Sequence, residues 1–202
     1  GCSSDKKEES KKAERTKNTV VTSMTTIESD PVGKLIITEV PSEFKVMDDV
    51  YGDTGPSDLD KAVRDDSPDA DEKTRQLFVD EGFIHGYQRL WQTSDDNQQI
   101  IVFIYEFKTA EGAKSFSTRD KDKAIKFDDE HDYKYETSTY DEIPDSQVIT
   151  GSSQSNGFGG VAVTCNKGKY AGQVVVNASL DVKDPFYLSI AKNLAIEQYN
   201  KV

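Results

Sequence analysis

Residues 100–107 constrain the fold of this chain more than any other segment. Seven of these eight residues, Ile-Ile-Val-Phe-Ile-Tyr-Glu-Phe, are β-branched or aromatic, which favours a β-strand. Successive side chains of a strand point to opposite faces of its sheet, so this strand is apolar on both faces. We therefore expect it to lie inside a sheet that other elements cover on both sides.

Weaker strand and helix patterns surround this segment. Strands are predicted over residues 35–40, 44–46, 83–91, 132–139, 146–150, 161–165 and 170–176, with a flexible Ser/Gly-rich loop over 151–160. Helices are predicted after the caps Ser57, Ser67 (with Pro68, ending near Gly82), Thr109 and Asp184 (with Pro185). Turn residues at 94–97 and 166–169 join neighbouring strands as hairpins. The fold class is therefore α+β, an antiparallel β-sheet covered by helices in an α/β/α-type sandwich.

The N-terminal residues 1–33 differ from the rest of the chain. Lys, Glu, Ser and Thr dominate there, and no hydrophobic periodicity is present, which is typical of a disordered tether. Asp30-Pro31-Val32-Gly33 is a turn signal that marks a boundary. We expect a flexible tether over 1–33 and a single domain over 34–202. Because the tether has no apolar stripe to offset the entropy of ordering, we expect the domain to be stable without it.

Charge narrows the choice of partners. The net charge is -12 over 202 residues, and acidic residues are concentrated between positions 43 and 81. Such a surface repels phosphate backbones, so a nucleic-acid partner is not expected. No run approaches the roughly 20 apolar residues of a membrane-spanning helix.

A search for catalytic or metal-binding motifs gives none. His85 and His131 have no zinc spacing with Cys165, which we interpret as a small core residue. Residues 65–72 are acidic but lack the EF-hand order. They suit the first turn of a helix better than the alternative, a calcium site. Ser152 lacks the second Gly of a nucleophile elbow. We therefore expect no catalytic residue, no metal and no cofactor. A pocket that uses Trp91 and exposed Tyr residues is the binding alternative to an aromatic core.

The first residues carry a resemblance. Gly1-Cys2-Ser3-Ser4 followed by a polar tether resembles the processed end of a bacterial lipoprotein. That resemblance implies a signal peptide, a lipid anchor on the Cys2 thiol and a place on the extracytoplasmic face of the cell membrane. Gly1 would then be a remnant. Two alternatives remain open: myristate on Gly1 with palmitate on Cys2, although Asp5 stands where that motif has Ser or Thr, and an ordinary Cys beside a cloning remnant.

The body of the chain carries a second resemblance. A strand followed by Pro41-x-x-Phe44, a helix with Ala113 and Phe116 after the central strand, and a terminal amphipathic helix are similar to PsbP/Mog1-type domains and to actinobacterial surface lipoproteins of that type. The likeness covers about residues 35–202 and implies a fold only.

Together these patterns indicate a membrane-anchored extracytoplasmic lipoprotein of the cell envelope. We expect a non-enzymatic binding or interaction module with a protein or small-molecule partner. The ligand-binding residues are not indicated by the sequence. The alternatives are an envelope-associated hydrolase and a structural envelope component.

Overall fold

A computed structural model describes residues 27, 29–47, 54–131, 133–180 and 187–202. Its elements are, in chain order, β1 (Phe44–Val46), β2 (Gly55–Ser57), α1 (Leu59–Asp66), α2 (Glu72–Glu81), β3 (Phe83–Thr93), β4 (Gln98–Phe107), α3 (Ala110–Glu130), β5 (Tyr133–Ser138), β6 (Gln147–Ser153), β7 (Phe158–Lys167), β8 (Tyr170–Ser179) and α4 (Tyr187–Lys201). None of the helices in these residues has both the length and the apolar character needed to cross a membrane.

The strands form one antiparallel sheet, which confirms the predicted fold class. The order across the sheet is β1-β3-β4-β8-β7-β6-β5, and β2 also pairs with β3. β4, which contains the apolar segment 100–107, is hydrogen-bonded on both sides, to β3 and to β8. The predicted interior position of this strand is therefore confirmed.

One face of the sheet is fully closed, and we call it the closed face. Alternate residues of β4, β7 and β8 are buried there. They are Ile100, Val102, Ile104, Val161, Val163, Val174 and Val176. Helix α4 covers them with Ala191, Leu194 and Ala195, which lie on one helical stripe as the sequence predicts. The predicted caps of this helix, Asp184 and Pro185, lie outside the described residues.

The segment before β1 also covers the closed face, but it is not the predicted strand. Residues Gly33–Leu35 form a turn of 3₁₀-helix, and residues 36–41 are irregular although Ile36 and Ile37 are fully buried. Side chains of α4 replace a neighbouring strand as hydrogen-bond partners. The N–H of Ile37 donates to Gln198 (2.9 Å), and Gln198 in turn donates to the carbonyl of Leu35 (2.7 Å). The predicted strand over 35–40 was wrong, because the backbone of this segment bonds with side chains of α4 and not with a neighbouring strand.

The packed domain begins before the expected boundary at residue 34. Val32 is fully buried in the core of the closed face. Oδ1 of Asp30 accepts hydrogen bonds from the N–H groups of Val32 and Gly33 (2.8 Å each). Its Oδ2 lies 2.7 Å from Nε2 of His85 on β3. Residues Asp30 to Gly33, which the sequence assigned to the tether, therefore pack on the domain.

The helices α1, α2 and α3 lie on the other face. Their N-caps are Asp58, Asp71 and Thr109, each accepting from the backbone N–H three residues on, and Gly82 ends α2 in the predicted left-handed conformation. Thr109 and Gly82 confirm the prediction, whereas Ser57 and Ser67 were wrong as caps. Ser57 belongs to β2. The backbone carbonyl of Ser67 accepts a hydrogen bond from the N–H of Ala70, in a turn where Ala70 takes a positive φ of 46°. That turn delays α2 until Glu72.

The predicted loop 151–160 is mostly strand. Gly151 to Ser153 complete β6, Phe158 to Gly160 begin β7, and only residues 154–157 turn the chain. Gly160 is required where it lies, because a Cβ there would come 2.7 Å from the backbone carbonyl oxygen of Val176. Glycine in this hairpin thus reflects close packing of neighbouring strands.

The buried segment at the start of the domain gives a first prediction. Removal of residues 1–26 should leave the thermal midpoint nearly unchanged. Removal of residues 1–33 should cost at least about 2 kcal/mol, since it exposes the site of one fully buried Val. That loss corresponds to about 4–8 °C for a domain of this size. Thermal unfolding of the two truncated chains beside the whole chain checks this, and equal midpoints would show that Asp30 and Val32 do not support the domain.

Candidate functional site

The helical face of the sheet is covered only in part. On β4, Tyr105 and Phe107 are buried beneath α1, α2 and α3, whereas Gln99, Ile101 and Phe103 on the same face are half-exposed. The partners of Gln99 and Ile101 across β8, Asn177 and Val175, are half-exposed as well. Because the closed face of these same strands is fully buried, the sheet is sealed on one side and open on the other.

This open part of the sheet is the floor of a groove of about 880 Å³. The floor includes the amide side chains of Gln88, Gln99, Gln173 and Asn177. One wall is the second half of α3, and the end of α1 borders the opening. Three aromatic residues, Phe127, Tyr133 and Phe158, stand at one end of the groove. A concave site with apolar surface and a few convergent polar groups is the usual form of a ligand-binding site.

Arg119 of α3 sets the positions of the helices around this groove. Its Nε and Nη2 donate to the two carboxylate oxygens of Glu81 in α2 (2.8 and 2.9 Å), and its Nη1 donates to Asp66 of α1 (2.9 Å). The guanidinium also lies 5.0 and 5.1 Å from the ring centres of Phe78 and Phe116. One side chain therefore links three helices by a bidentate pair, a second ion pair and two cation–π contacts.

A second set of polar contacts lies where α3 meets the floor. Lys123 pairs with Asp66 and lies 3.6 Å from Asp120. Asp120 is 6 % exposed and accepts long hydrogen bonds of 3.5 Å from Thr164 and Gln173. Burial raises the pKa of the Asp120 carboxyl above its ordinary value, because a desolvated carboxylate is less stable than the protonated acid.

A smaller cavity between α4 and the sheet is not a ligand site. It has a volume of about 30 Å³, which has room for only a few water molecules. Cys165 lies beside it, and burial raises the pKa of this thiol to about 11. Cys165 packs against the core of the closed face, as the sequence indicates.

The residues that the sequence singles out lie in different parts of the structure. Cys2 lies outside the described residues, and lipidation stays a prediction. Trp91 is buried on the closed face and does not line the groove, so the pocket considered around Trp91 is not formed there.

The other aromatic residues of the strands are mostly in the core. Tyr87, Tyr105 and Phe107 are core residues, and Phe103 is shared between core and groove floor. His85 holds Asp30, and His131 stacks on Phe127 with ring centres 4.0 Å apart.

Most of the acidic residues between 65 and 72 have structural partners. Asp65 pairs with Lys61, Asp66 pairs with Arg119 and Lys123, and Asp71 caps α2. In the described part of the chain, no group of three or more His, Cys, Asp or Glu residues is arranged to hold a metal ion. The first of these acids lie at the end of α1 and not in the first turn of a helix, so the predicted position was wrong for Asp65 and Asp66.

Sequence reasoning missed the amide residues of the floor. Gln173 lay within the predicted strand 170–176 without a role, and Gln99 and Asn177 lay just outside the predicted strands 100–107 and 170–176. Their signal is the spacing of polar residues by two or four along apolar strands, as in Gln173-Val-Val-Val-Asn177. That spacing shows which face is polar, but only the register of β4 against β8 brings Gln99 opposite Asn177.

Arg119 with its partners Glu81, Asp66, Phe78 and Phe116, which we call the Arg119 cluster, gives a second prediction. Arg119→Met should lower the free energy of unfolding by about 3–5 kcal/mol, because it leaves the buried carboxylates of Glu81 and Asp66 without their main cation. The control is Arg75→Met, which breaks the solvent-exposed ion pair with Asp60 and should leave the denaturation midpoint nearly unchanged. Chemical denaturation of both variants is the measurement. Equal midpoints for the two would mean that the cluster does not hold the helices.

Comparison with known proteins adds a fold-level likeness. No protein-family model matches the chain, and no curated protein matches it significantly. Among solved structures, the chain is similar to the extracellular domain of PknH from Mycobacterium tuberculosis, with a TM-score of 0.53 and 9 % sequence identity. The likeness covers 85 % of this chain and 95 % of that domain. The fold is therefore one that an extracellular domain of a bacterial protein also has.

Proposed function

We propose that this chain is an extracytoplasmic, non-enzymatic binding module of a bacterial cell envelope and that the groove on the helical face is its ligand site. The observation that carries the proposal is that the sheet is fully covered on its closed face but partly uncovered on its helical face. The groove volume of about 880 Å³ falls within the range of small-molecule sites. Membrane attachment through lipid on Cys2 is part of the proposal and rests on the residue pattern Gly1-Cys2-Ser3-Ser4.

The composition of the groove supports binding over catalysis. No His, Cys, Ser or Thr is found among the described residues that line it, so the usual nucleophile and base pairs have no members there. Asp66 is fully engaged by Arg119 and Lys123. Asp120 and Asp128 are the carboxyls left for acid chemistry among the described lining residues. They lie eight residues apart on α3, which is about 12 Å of helix and more than the separation of the two carboxyls in a glycoside hydrolase.

Two observations support the extracytoplasmic location. The similar solved domain is extracellular in its own protein. The residues around Cys2 resemble a lipoprotein end and precede a polar stretch. The net charge of -12 would keep such a domain away from anionic headgroups.

The groove gives a third prediction. Ala162 is a half-exposed floor residue on β7, and Ala162→Trp should fill the groove without disturbing the core. Ligand-observed NMR against a library of neutral, cationic and anionic fragments should detect binders to the wild-type chain that Ala162→Trp no longer binds. The control Val46→Trp adds the same ring to an exposed residue of β1 outside the groove. A library with no binders, or binders that Ala162→Trp retains, would contradict the groove as the site.

The anchor gives a fourth prediction. Expressed from its natural reading frame in a bacterial host, the wild-type protein should fractionate with membranes and carry acyl mass on the peptide that contains Cys2. Cys2→Ala should be released into the soluble fraction with an unchanged melting curve, because the sequence predicts that Cys2 belongs to the tether. A wild-type protein that is soluble and unmodified by mass spectrometry would show that Cys2 is not an anchor.

A further inference from the structure

Two side-chain amides on the floor of the groove, those of Gln99 and Asn177, are the polar groups best placed to bind a ligand. Gln99 and Asn177 face each other across β4 and β8, and within the described residues neither side-chain amide has a hydrogen-bond partner. Gln173 lies further along β8 and donates to Thr164 (2.9 Å). An amide offers both a donor and an acceptor, so this row matches groups that also do both, above all hydroxyls.

Exposed aromatic rings stand at one end of this floor. Phe127 and Phe158 are 48 % and 43 % exposed, and both line the groove with Tyr133. Asn156 donates to the hydroxyl of Tyr133 (3.1 Å), and Phe127 lies 5.7 Å from that ring, so the rings are held by neighbours. The face of an aromatic ring is flat and carries the negative part of its quadrupole. Such a face suits the weakly positive C–H groups on the flat side of a pyranose.

The charges around the groove disfavour an anionic ligand. Among the described residues that line the groove, Lys123 is the one cation, and it is paired with Asp66, whose other partner is Arg119. A phosphate or carboxylate would therefore meet a wall of acidic residues with no cation left for it.

The charges also give a cationic ligand little to bind. The carboxyls that line the groove outside these pairs are those of Asp120, with Lys123 at 3.6 Å, and Asp128. Asp120 already has the ammonium of Lys123 beside it, so a cationic ligand would have to compete with Lys123 or bind Asp128 alone. A neutral ligand fits the site better than either charged class.

We infer that the groove binds a neutral oligosaccharide, with a sugar ring face against Phe158 and hydroxyls against the amides of Gln99 and Asn177. This inference rests on the proposed function of the groove. A peptide is less well matched, because the backbone groups of β4, β7 and β8 are already paired within the sheet and offer no free edge for an added strand.

The experiment uses a panel of trisaccharides with the whole chain. The neutral probes are maltotriose, cellotriose, mannotriose and tri-N-acetylchitotriose. Deacetylated chitotriose supplies three ammonium groups on the same skeleton, trigalacturonate supplies three carboxylates, and an N-acetylated, C-amidated penta-alanine is the peptide probe. Saturation-transfer NMR identifies binders, and calorimetry gives their dissociation constants. At least one neutral trisaccharide should bind, with the charged sugars and the peptide weaker or silent.

Matched variants locate the bound sugar. Gln99→Ala, Asn177→Ala and Phe158→Ala should each weaken binding by about three- to tenfold, as the loss of one hydrogen bond or one ring contact does. Gln76→Ala on the exposed surface of α2 and Leu188→Ala on α4 remove an amide and an apolar side chain outside the groove. These two controls should bind the sugar as the wild type does.

The remaining outcomes overturn the inference in separate ways. Fragment binding that Ala162→Trp abolishes, with no neutral trisaccharide bound, would show that the groove is a site for another class of ligand. Preferred binding of deacetylated chitotriose, trigalacturonate or the peptide would show that this ligand class is cationic, anionic or peptidic, respectively. Sugar binding that survives the three groove variants would place the sugar elsewhere. Failure of the fragment screen itself would remove the proposed function, and cleavage of a bound trisaccharide would contradict its non-enzymatic character.

Discussion

The helical layer of this domain depends on the ion pairs of one arginine. Arg119 donates to Glu81 through Nε and Nη2 and to Asp66 through Nη1. Helices α1 and α2 are thus attached to α3 through the carboxylates of Asp66 and Glu81, which are 7 % and 5 % exposed. Removing such charges from water is unfavourable unless each has a well-placed partner. The cluster therefore allows few alternative arrangements of the three helices, and the arrangement it selects leaves the second half of α3 beside the uncovered sheet.

The sheet is asymmetric for a related reason. On the closed face, α4 and the segment from Val32 to Ile37 cover the strands continuously, and the small residues Ala191 and Ala195 let the helix approach closely. On the helical face, Gly112 lets α3 approach the end of α2, since a Cβ there would come 2.0 Å from the carbonyl of Glu81. From that contact α3 crosses the sheet toward β5, where Tyr135 donates to Asp129 (2.5 Å). The floor around Gln99 and Asn177 lies outside its path, and the groove follows from the direction of one helix.

The proposed ligand site is thus a surface that the fold leaves uncovered and then fills with amides and aromatic rings. A floor of Leu or Val at these positions would expose apolar surface that favours aggregation. Gln99 and Asn177 keep the open face hydrated, while the next pair along the strands on this face, Ile101 and Val175, retains apolar contact area. This mixture gives the groove both hydrogen-bonding capacity and a surface on which a ligand with two chemical faces can lie.

The sequence by itself determined the periodic elements and their class. The two-sided apolar run 100–107 indicated the interior strand, and the polar turns at 94–97 and 166–169 indicated hairpins, because both depend on neighbours in the chain. The caps Thr109 and Gly82 were read correctly for the same reason.

The tertiary structure decided what depends on partners distant in the chain. Residues 35–40 look like a strand, yet their backbone bonds with Gln198 and Lys201 of α4. Asp30 and Val32 look like part of a tether, yet His85 and the core hold them. The groove belongs to this second group. Gln99 and Asn177 become one site only through the register of β4 and β8, and no local pattern encodes that register.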